Sequence, residues 1–451
     1  MAAQPSTTSQ ATAEDARTPP ISWWALFVLF VCYVLSLIDR NLLGIMVDDV
    51  KADLAINDTQ FSLLVGGPFA LFYALCGLPI GHYVDKYPRR WFVTGGVVFW
   101  SAMVGLSGLA STFSALLLAR LGVGAGEAAL SPAAYSMLPD MFSRRRITLA
   151  TALFALGGAV GAALSLWLGG YLLDEFKHGA LVGFVERTGL APWQLVFVTF
   201  GLVGLPVTLL TLTLREPRRR ESPLQQSSGS EPLLTYLWRR RLLHGPTIIG
   251  FGAAAMVSYS LLHWAPAHLM RHFGLSASDA GLAMGATLLV CAATAQPLIG
   301  WFVDRQVRQG ARTFHYDAYL VIAVICTAAV LVAFRTDTLL IFLGAFAVMA
   351  CIQIPSALLG FASVQLTSDP RYVGRVSALL LLAMTAFGMG LGPLLVGIAT
   401  DYIFRDPQQV GASITLVCLL GFGFASISLL IGRGAFGRAM AAAHTSNGKV
   451  P

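Results

Sequence analysis

The stretch GLPIGHYVDK, residues Gly77–Lys86, has a second copy in QPLIGWFVDR, residues Gln296–Arg305. The two copies share isoleucine, glycine, an aromatic residue, valine, aspartate and a basic residue at the same offsets, 219 residues apart. Each copy lies where an apolar stretch of membrane-spanning length ends. The repeat therefore predicts a chain built from two related halves, each about half of the sequence long.

The composition predicts an all-α polytopic membrane protein. Hydrophobic residues make up 56% of the 451 residues and charged residues only 12%, about half the charged fraction of a soluble domain. A helix needs about 20 apolar residues to cross a bilayer. Windows of that length predict twelve transmembrane helices in two six-helix bundles, at approximately 22–46, 59–84, 91–111, 114–138, 147–174, 192–214, 244–270, 277–303, 315–334, 338–366, 375–401 and 409–432.

Polar segments set the predicted domain boundaries. The longest polar interval is rich in Pro, Ser and Arg and reads as a cytoplasmic linker between the bundles. The five predicted parts are a disordered N-terminal tail 1–20, an N-terminal bundle 21–214, the linker 215–243, a C-terminal bundle 244–433 and a C-terminal tail 434–451. The second part of the linker, which carries Trp238 beside Arg239–Arg241, has two interpretations: a short helix on an anionic membrane surface, or a solvated linker.

The net charge of +7 follows from orientation in a membrane. With both termini placed in the cytoplasm, 22 of the 30 Lys and Arg residues fall on inner segments and 6 on outer loops. Positive residues concentrate on the cytoplasmic side of membrane proteins. The distribution therefore predicts cytoplasmic termini and a multi-pass protein of the cell inner (plasma) membrane, and no nucleic-acid partner is expected.

No cofactor or metal site is predicted. All six cysteines fall within predicted spans, and the sequence shows no CxxC or Cys/His spacing and no Walker motif. An enzyme acting inside the membrane would need a nucleophile with a base at that depth, and no such set is present. The nearest candidate, His263, has no acidic partner on its own helix and is interpreted as a packed residue.

Four ionisable residues interrupt the apolar stretches of the N-terminal half: Asp39 and Arg40 in helix 1, Arg120 and Glu127 in helix 4. A charge in hydrocarbon costs at least a few kcal/mol, and by default it marks a transport pathway. Arg120 and Glu127 are seven residues apart and so share one helix face. From their depths we expect Asp39 to face Arg120, with Arg40 and Glu127 lining the route towards the midplane.

These residues are assigned two roles. The carboxylates Asp39 and Glu127 are the candidates for proton coupling, and Arg40 and Arg120 are the candidates for substrate binding. A static buried ion pair is the alternative. Because the C-terminal half has no acidic or basic residue in mid-span, the predicted cavity is charged on one wall and apolar on the other, which suits an amphiphile.

Three glycines thin helix 4 at Gly122, Gly124 and Gly126. Small residues let a neighbouring helix approach closely in a membrane. We expect that neighbour to be helix 1, which carries the other two ionisable residues.

The segment GHYVDKYPRR, residues Gly81–Arg90, resembles the signature loop of the major facilitator superfamily between helices 2 and 3, usually written GxLxDRxGRR. Tyr83, Lys86 and Pro88 stand where the family has Leu, Arg and Gly. In that family the loop latches the cytoplasmic side when the transporter faces outward; a tight turn with ordinary charges is the alternative. The resemblance implies a cytoplasmic gate of Gly81, Asp85, Arg89, Arg90, Arg144, Arg145, Arg146 and Asp304, the repeat copy of Asp85.

Helix 1, YVLSLIDRNLLGIM, and helix 4, RLGVGAGEAA, resemble the spinster family, whose motifs read N-x-x-D-R-x-x-x-x-G and R-x-x-x-G-x-G-E-A. Ser36 stands where animal members commonly have Asn. The resemblance implies a monomeric secondary transporter that moves an amphiphilic lipid of sphingolipid or lysophospholipid type by alternating access, with protons and membrane lipids as its other partners. A proton-coupled symporter of a small organic anion such as a sugar acid is the alternative, because a D-R pair in helix 1 also occurs in such proteins.

Overall fold

The computed structural model describes residues 19–84, 86–143, 146–219 and 231–447. In these residues the chain forms helices and connecting turns, without a β-strand. Twelve long helices run across the molecule: α1 (Pro20–Ile45), α2 (Asp58–Val84), α3 (Arg89–Ser107), α4 (Phe113–Met141), α5 (Ile147–His178), α6 (Pro192–Thr211), α7 (Arg241–Phe273), α8 (Ala277–Arg308), α9 (Phe314–Ala333), α10 (Leu339–Thr367), α11 (Val373–Phe404) and α12 (Val410–Asn447). Short helices lie at Val47–Leu54, Val182–Thr188 and Leu233–Arg239.

The predicted twelve-helix fold is confirmed. Within the described ranges, eleven of the long helices are both long and apolar enough to cross a membrane. The remaining one, α3, is 19 residues long, begins with two arginines and packs between α4 and α6. At about 1.5 Å per residue its length matches the hydrocarbon core of a bilayer.

The helices pack as two bundles, α1–α6 and α7–α12. Helix α1 lies against α5 in the first bundle, and α7 lies against α12 in the second. The bundles meet where α5 packs on α8 and where α2 packs on α11. One face of the molecule carries the start of α1 and the segment before α7, and we call it the linker face; the opposite one is the far face.

Two helices extend beyond their predicted ends. Helix α7 begins at Arg241, so the last part of the predicted linker is helical, and residues 220–230 lie outside the described residues. Helix α12 continues to Asn447 through residues predicted to form a tail. This extension is rich in alanine, the strongest helix former, which explains why the helix does not end with its apolar span.

Irregular segments interrupt the helices that surround the centre of the molecule. Helix α4 is broken between Glu127 and Leu130, and α10 is broken between Ile352 and Ser356 beside Pro355. Helix α11 contains a π-helical segment at Met384–Leu391. Such segments are frequent at functional sites, because they redirect side chains and free backbone groups.

The two bundles approach most closely at glycines. A Cβ atom added to Gly281 of α8 would lie 2.1 Å from the carbonyl oxygen of Leu166 of α5. A Cβ atom added to Gly66 of α2 would lie 2.6 Å from the carbonyl oxygen of Met389 of α11. Both distances are far below van der Waals contact, so only glycine allows these backbones to touch.

Replacing Gly281 with alanine should therefore separate α5 from α8. Overpacking of this kind costs about 1–3 kcal/mol. We expect Gly281→Ala to lower the midpoint of thermal unfolding in detergent, because the added methyl group meets backbone rather than a flexible side chain.

Gly300→Ala is the matched control on the same helix, since nothing lies within 4 Å of a Cβ atom at that position. Alanine is favoured over glycine in helices by about 0.5–1 kcal/mol, so this variant should be neutral or slightly stabilised. Equal unfolding midpoints in the two variants would show that the α5–α8 contact does not depend on Gly281.

Candidate functional site

The four ionisable residues of α1 and α4 meet in the centre of the N-terminal bundle. Asp39, Arg120 and Glu127 are at most 1% exposed. Arg40 donates from Nε and Nη2 to Glu127 Oε2, at 3.1 and 2.5 Å, and its side chain is 13% exposed. Ser36 Oγ donates to the same carboxylate oxygen at 2.8 Å. The ion pair of this cluster is thus Arg40 with Glu127.

Arg120 binds main-chain oxygens instead of a carboxylate. Its Nη1 donates to the carbonyl of Asp39 at 3.0 Å, and its Nη2 donates to the carbonyl of Arg40 at 3.3 Å. The α-helical part of α1 ends at Asn41, and the last carbonyls of a helix lack amide partners within it. The positive charge of Arg120 therefore holds α4 against the open end of α1.

Asp39 is the one member of the cluster whose side chain has no well-formed hydrogen bond among the described residues. Among the described residues neither of its carboxylate oxygens accepts a hydrogen bond of good geometry; the indole Nε1 of Trp100 is the donor beside it, outside normal hydrogen-bond geometry. Its charged neighbours are Glu127 and Arg120. Arg120 lies next to Asp39, as expected, but it binds the main-chain carbonyl of that residue and not its carboxylate.

Aromatic rings of α2 cover the arginines. The guanidinium carbon of Arg40 lies 5.2 Å from the ring centre of Phe69 and 4.9 Å from that of Tyr73. The guanidinium carbon of Arg120 also lies 5.2 Å from the ring centre of Phe69. A cation over an aromatic face is stabilised by about 0.5–2 kcal/mol, so the rings help to keep both charges away from water.

The glycines of α4 serve these contacts with α2 and α3. A Cβ atom on Gly124 would lie 2.9 Å from the carbonyl oxygen of Phe69 in α2, and one on Gly126 would lie 2.8 Å from Trp100 Cβ in α3. Gly122 lies against Met103 of α3. The prediction that these glycines admit helix 1 is wrong, because the rotation of α4 about its axis turns them away from α1.

A cavity of about 290 Å³ lies between the two bundles beside Arg40. The N-terminal bundle contributes Arg40 and Asn41 together with apolar side chains of α1 and α5. The C-terminal bundle contributes mainly apolar and aromatic side chains, with Ser258, Gln353 and Ser356 among its few polar ones. The wall next to α1 is therefore charged and the opposite wall is largely apolar. His263 lies one helical turn from Tyr259, buried against Gly44 of α1, as a packed residue.

Salt bridges close the far face between the two bundles. Arg271, at the end of α7, lies 2.7 Å from Asp48 and 3.2 Å from Asp58, which is fully buried and also bound by Lys51. The carboxylate of Asp401 in α11 accepts hydrogen bonds from Thr59 of α2. This seal could not be predicted from the sequence, because an arginine 213 residues from Asp58 gives no spacing signal.

The linker face is not closed in the same way. Among the described residues, none has an atom within 4 Å of a Cβ position added to Gly81 of α2 or to Gly300 of α8. Of the residues predicted to form a cytoplasmic gate, Asp85, Arg144 and Arg145 lie outside the described residues, as does the side chain of Asp304 in α8. Arg146 precedes α5. Among the described residues, the salt bridges that join the two bundles lie at the far face.

Arg89 and Arg90 join parts of the N-terminal bundle. Arg89 is 1% exposed and binds Asp140 of α4 at 2.5 Å and Glu216, which follows α6, at 2.8 Å. The backbone amide of Arg90 donates to Glu216, and its guanidinium lies over Trp91. In this conformation both arginines tie α3 to its own bundle, and their part in a gate stays a prediction.

The family model described as Major Facilitator Superfamily matches residues 29–393, which is most of the chain. The chain belongs to the Major Facilitator Superfamily. It is a spinster-like transporter of this superfamily. Its structure resembles crystal structures of a bacterial homolog to the human lysosomal transporter spinster. The inward-facing, occupied form gives a TM-score of 0.73 at 25% identity, covering 95% of this chain and 98% of that one. The inward-facing, unoccupied form gives 0.75 at 24% identity, covering 95% and 99%.

Sequence relatives have several names. An "MFS-type efflux pump" of Mycolicibacterium smegmatis is 25% identical over 89% of this chain and 90% of its own length. A "Probable L-galactonate transporter" of Escherichia coli K12 is 24% identical over 70% of this chain and 69% of its own length. "Protein spinster homolog 1" of Bos taurus is 32% identical, but the alignment covers only 55% of this chain and 46% of the cow protein.

Loss of Arg271 should open the far face. Arg271→Gln leaves the buried carboxylate of Asp58 with Lys51 alone and removes the link to Asp48. Because the link joins the two bundles, we expect the equilibrium to shift towards the far-face-open state by about 1–3 kcal/mol. Spin labels at positions 186 and 337, on far-face loops of the two bundles, should report longer distances.

Arg335→Gln is the control, since Arg335 is an exposed arginine near the far-face end of α9. It should leave the distance distribution as in the parent protein. If Arg271→Gln also leaves it unchanged, the salt bridges do not hold the far face closed.

Proposed function

We propose that this protein is a proton-coupled secondary transporter that moves an amphiphilic lipid with an anionic head group, of sphingolipid or lysophospholipid type, by alternating access. The observation that carries the proposal is the cavity beside Arg40: one cationic group on one wall and an apolar surface on the other. A head group that pairs with Arg40 leaves its hydrocarbon tail against the side chains of α7, α8 and α10. The family and the spinster-like sequence support the same assignment.

The charges of the cluster supply the coupling. A carboxylate buried without a well-formed hydrogen bond costs several kcal/mol, whereas the neutral acid costs much less. We assign the transported proton to Asp39 in this conformation. With Asp39 neutral, Arg40, Arg120 and Glu127 sum to one positive charge, and an anionic head group neutralises it.

Glu127 is the second group in this exchange. Oε2 accepts all of its hydrogen bonds, from Ser36 and Arg40, while Oε1 has no donor among the described residues. An anionic head group competes with Glu127 for Arg40, since both need the same guanidinium. Protonation of Asp39 or of Glu127 therefore favours substrate binding, and substrate binding favours protonation. Arg120 stays with the backbone of α1, so Arg40 is the arginine that we assign to the head group.

The orientation follows from the arginine distribution. We place the linker face in the cytoplasm of a cell whose inner (plasma) membrane holds the protein, with both termini inside and the chain acting as a monomer. The salt bridges at the far face then close the outer side, which supports an inward-facing state. Glycines of the signature loop are free in this state and come into contact when the cytoplasmic gate closes.

A proton-coupled symporter of a small organic anion is the second candidate. It is favoured by the relative named as a probable L-galactonate transporter, which aligns with 70% of this chain. Arg40 would bind the carboxylate of a sugar acid as it binds a head group. The apolar wall of α10, with Phe346 and Met349, has no partner on such a substrate.

Counterflow in proteoliposomes tests the proposal. We expect exchange of a labelled lysophosphatidylglycerol that is inhibited by other lysophospholipids and not by a hexonate. Between about pH 8 and about pH 6 its apparent affinity should rise by about five-fold or more, because protonation and anion binding are linked. If the hexonate inhibits exchange and the other lysophospholipids do not, the assigned substrate is a sugar acid and not a lipid.

Asp39→Asn separates coupling from binding. The amide has the shape of the neutral acid, so this variant should keep counterflow and lose uptake driven by a pH gradient. It should also lose most of the pH dependence of affinity, and the remainder belongs to Glu127. Glu186→Gln, an exposed far-face position, should behave as the parent protein. A full response to the pH gradient in Asp39→Asn would show that Asp39 does not carry the transported proton.

A further inference from the structure

A second cavity, of about 650 Å³, lies on the linker face of the C-terminal bundle. The start of α7, the end of α10 and the linker-face part of α12 form its walls. Four arginines line it, and among the described lining residues Asp369 is the acidic one. The lining arginines are Arg239, Arg240, Arg241 and Arg438. The cavity therefore has an excess of positive charge.

Three of these arginines are available to a ligand. Arg240 has a structural role, since it donates to the hydroxyl of Tyr236 and to the carbonyl of Thr367. Arg239 contacts Glu231 at 3.5 Å with 73% of its side chain exposed, and an exposed pair of this kind is worth little. Arg241 donates to the carbonyl of Trp238, and Arg438 is exposed.

A polar group inside the cavity also lacks a partner. The hydroxyl of Ser368 lines the cavity and is buried, and it has no hydrogen bond to any described residue. A buried hydroxyl without a partner is unfavourable by about 1–3 kcal/mol. An anion with several oxygens accepts hydrogen bonds from the surrounding guanidinium groups together, and from Ser368 once its side chain turns towards the cavity.

The short helix Leu233–Arg239 fixes an apolar surface beside the arginines. Its inner side is anchored by Tyr236, which stacks on Tyr372 with ring centres 4.0 Å apart and accepts a hydrogen bond from the amide of Asp369. Leu234 and Trp238 are 81% and 70% exposed. Of the two interpretations of this segment, the structure shows the helix, with apolar side chains pointing away from the protein.

We propose that this cavity binds the head group of an anionic phospholipid from the leaflet at the linker face. The phosphate accepts hydrogen bonds from Arg239, Arg241 and Arg438, and Leu234 and Trp238 insert among the acyl chains beside it. Guanidinium groups match phosphate oxygens in geometry as well as in charge. The neighbouring apolar side chains favour a lipid over a soluble phosphate, because a free ion leaves them in water. This site is separate from the transport cavity.

Lipid binding to the purified protein tests the proposal. In detergent micelles, the parent protein should bind phosphatidylglycerol more tightly than phosphatidylcholine. Each basic residue near an anionic surface contributes about five-fold in affinity, so a variant with Arg239→Gln, Arg241→Gln and Arg438→Gln should lose on the order of a hundred-fold. Replacement of the same three arginines with lysine should restore a large part, since the charges remain.

Arg312→Gln is the control, an exposed arginine on the same face of the same bundle. It should bind phosphatidylglycerol as the parent protein does. A lowered unfolding midpoint in the triple variant would show a folding defect. In that case the single variant Arg438→Gln is the test, with an expected loss of affinity of about five-fold. Equal binding of the two lipids, or no loss in the variants, would overturn the proposal. Displacement of the lipid by inorganic phosphate at equal concentration would show a soluble phosphate site instead.

Discussion

The Arg40–Glu127 pair is the interaction on which the centre of this transporter depends. Two arginines and two carboxylates are buried together, yet the structure gives only one carboxylate an arginine. Arg120 is committed to the carbonyls at the end of α1, so it cannot neutralise Asp39 with a direct side-chain hydrogen bond. The remaining arginine, Arg40, serves Glu127 and also faces the cavity. A substrate anion therefore competes with the Glu127 carboxylate for one guanidinium group, and protonation of a carboxylate favours binding of the anion.

The chain connects this cluster directly to the far-face seal. After Asn41 the helix tightens into a 3₁₀ turn, Leu42–Ile45, and continues as the helix Val47–Leu54, which carries Asp48. On the other bundle, α7 carries Tyr259 in the cavity wall and Arg271 at the seal. A change in how α1 and α7 pack at the cavity is thus transmitted to the salt bridges within a few helical turns. Close backbone contacts at Gly66 and Gly281 join the two bundles nearby, between α2 and α11 and between α5 and α8.

Much of the fold could be predicted from the sequence. The twelve helices follow from apolar length, and the repeat of Gly77–Lys86 indicates two halves. The residues of the central cluster could also be found, because a charge inside an apolar stretch is rare. Their pairing could not, since spacing along a helix fixes which residues share a face but not which neighbour that face meets. Arg120 and the glycines of α4 both illustrate this limit.

Contacts between segments that are distant in the sequence could not be predicted either. Arg271 and Asp48 are 223 residues apart, and each reads as an ordinary loop charge in the sequence. Only the packing of the two bundles brings them together.

The protonation of Asp39 is tested most directly by infrared difference spectroscopy of the protonated carboxyl group at neutral pH. The account predicts a carbonyl band that Asp39→Asn removes and Glu127→Gln keeps; a band that persists in Asp39→Asn would contradict it.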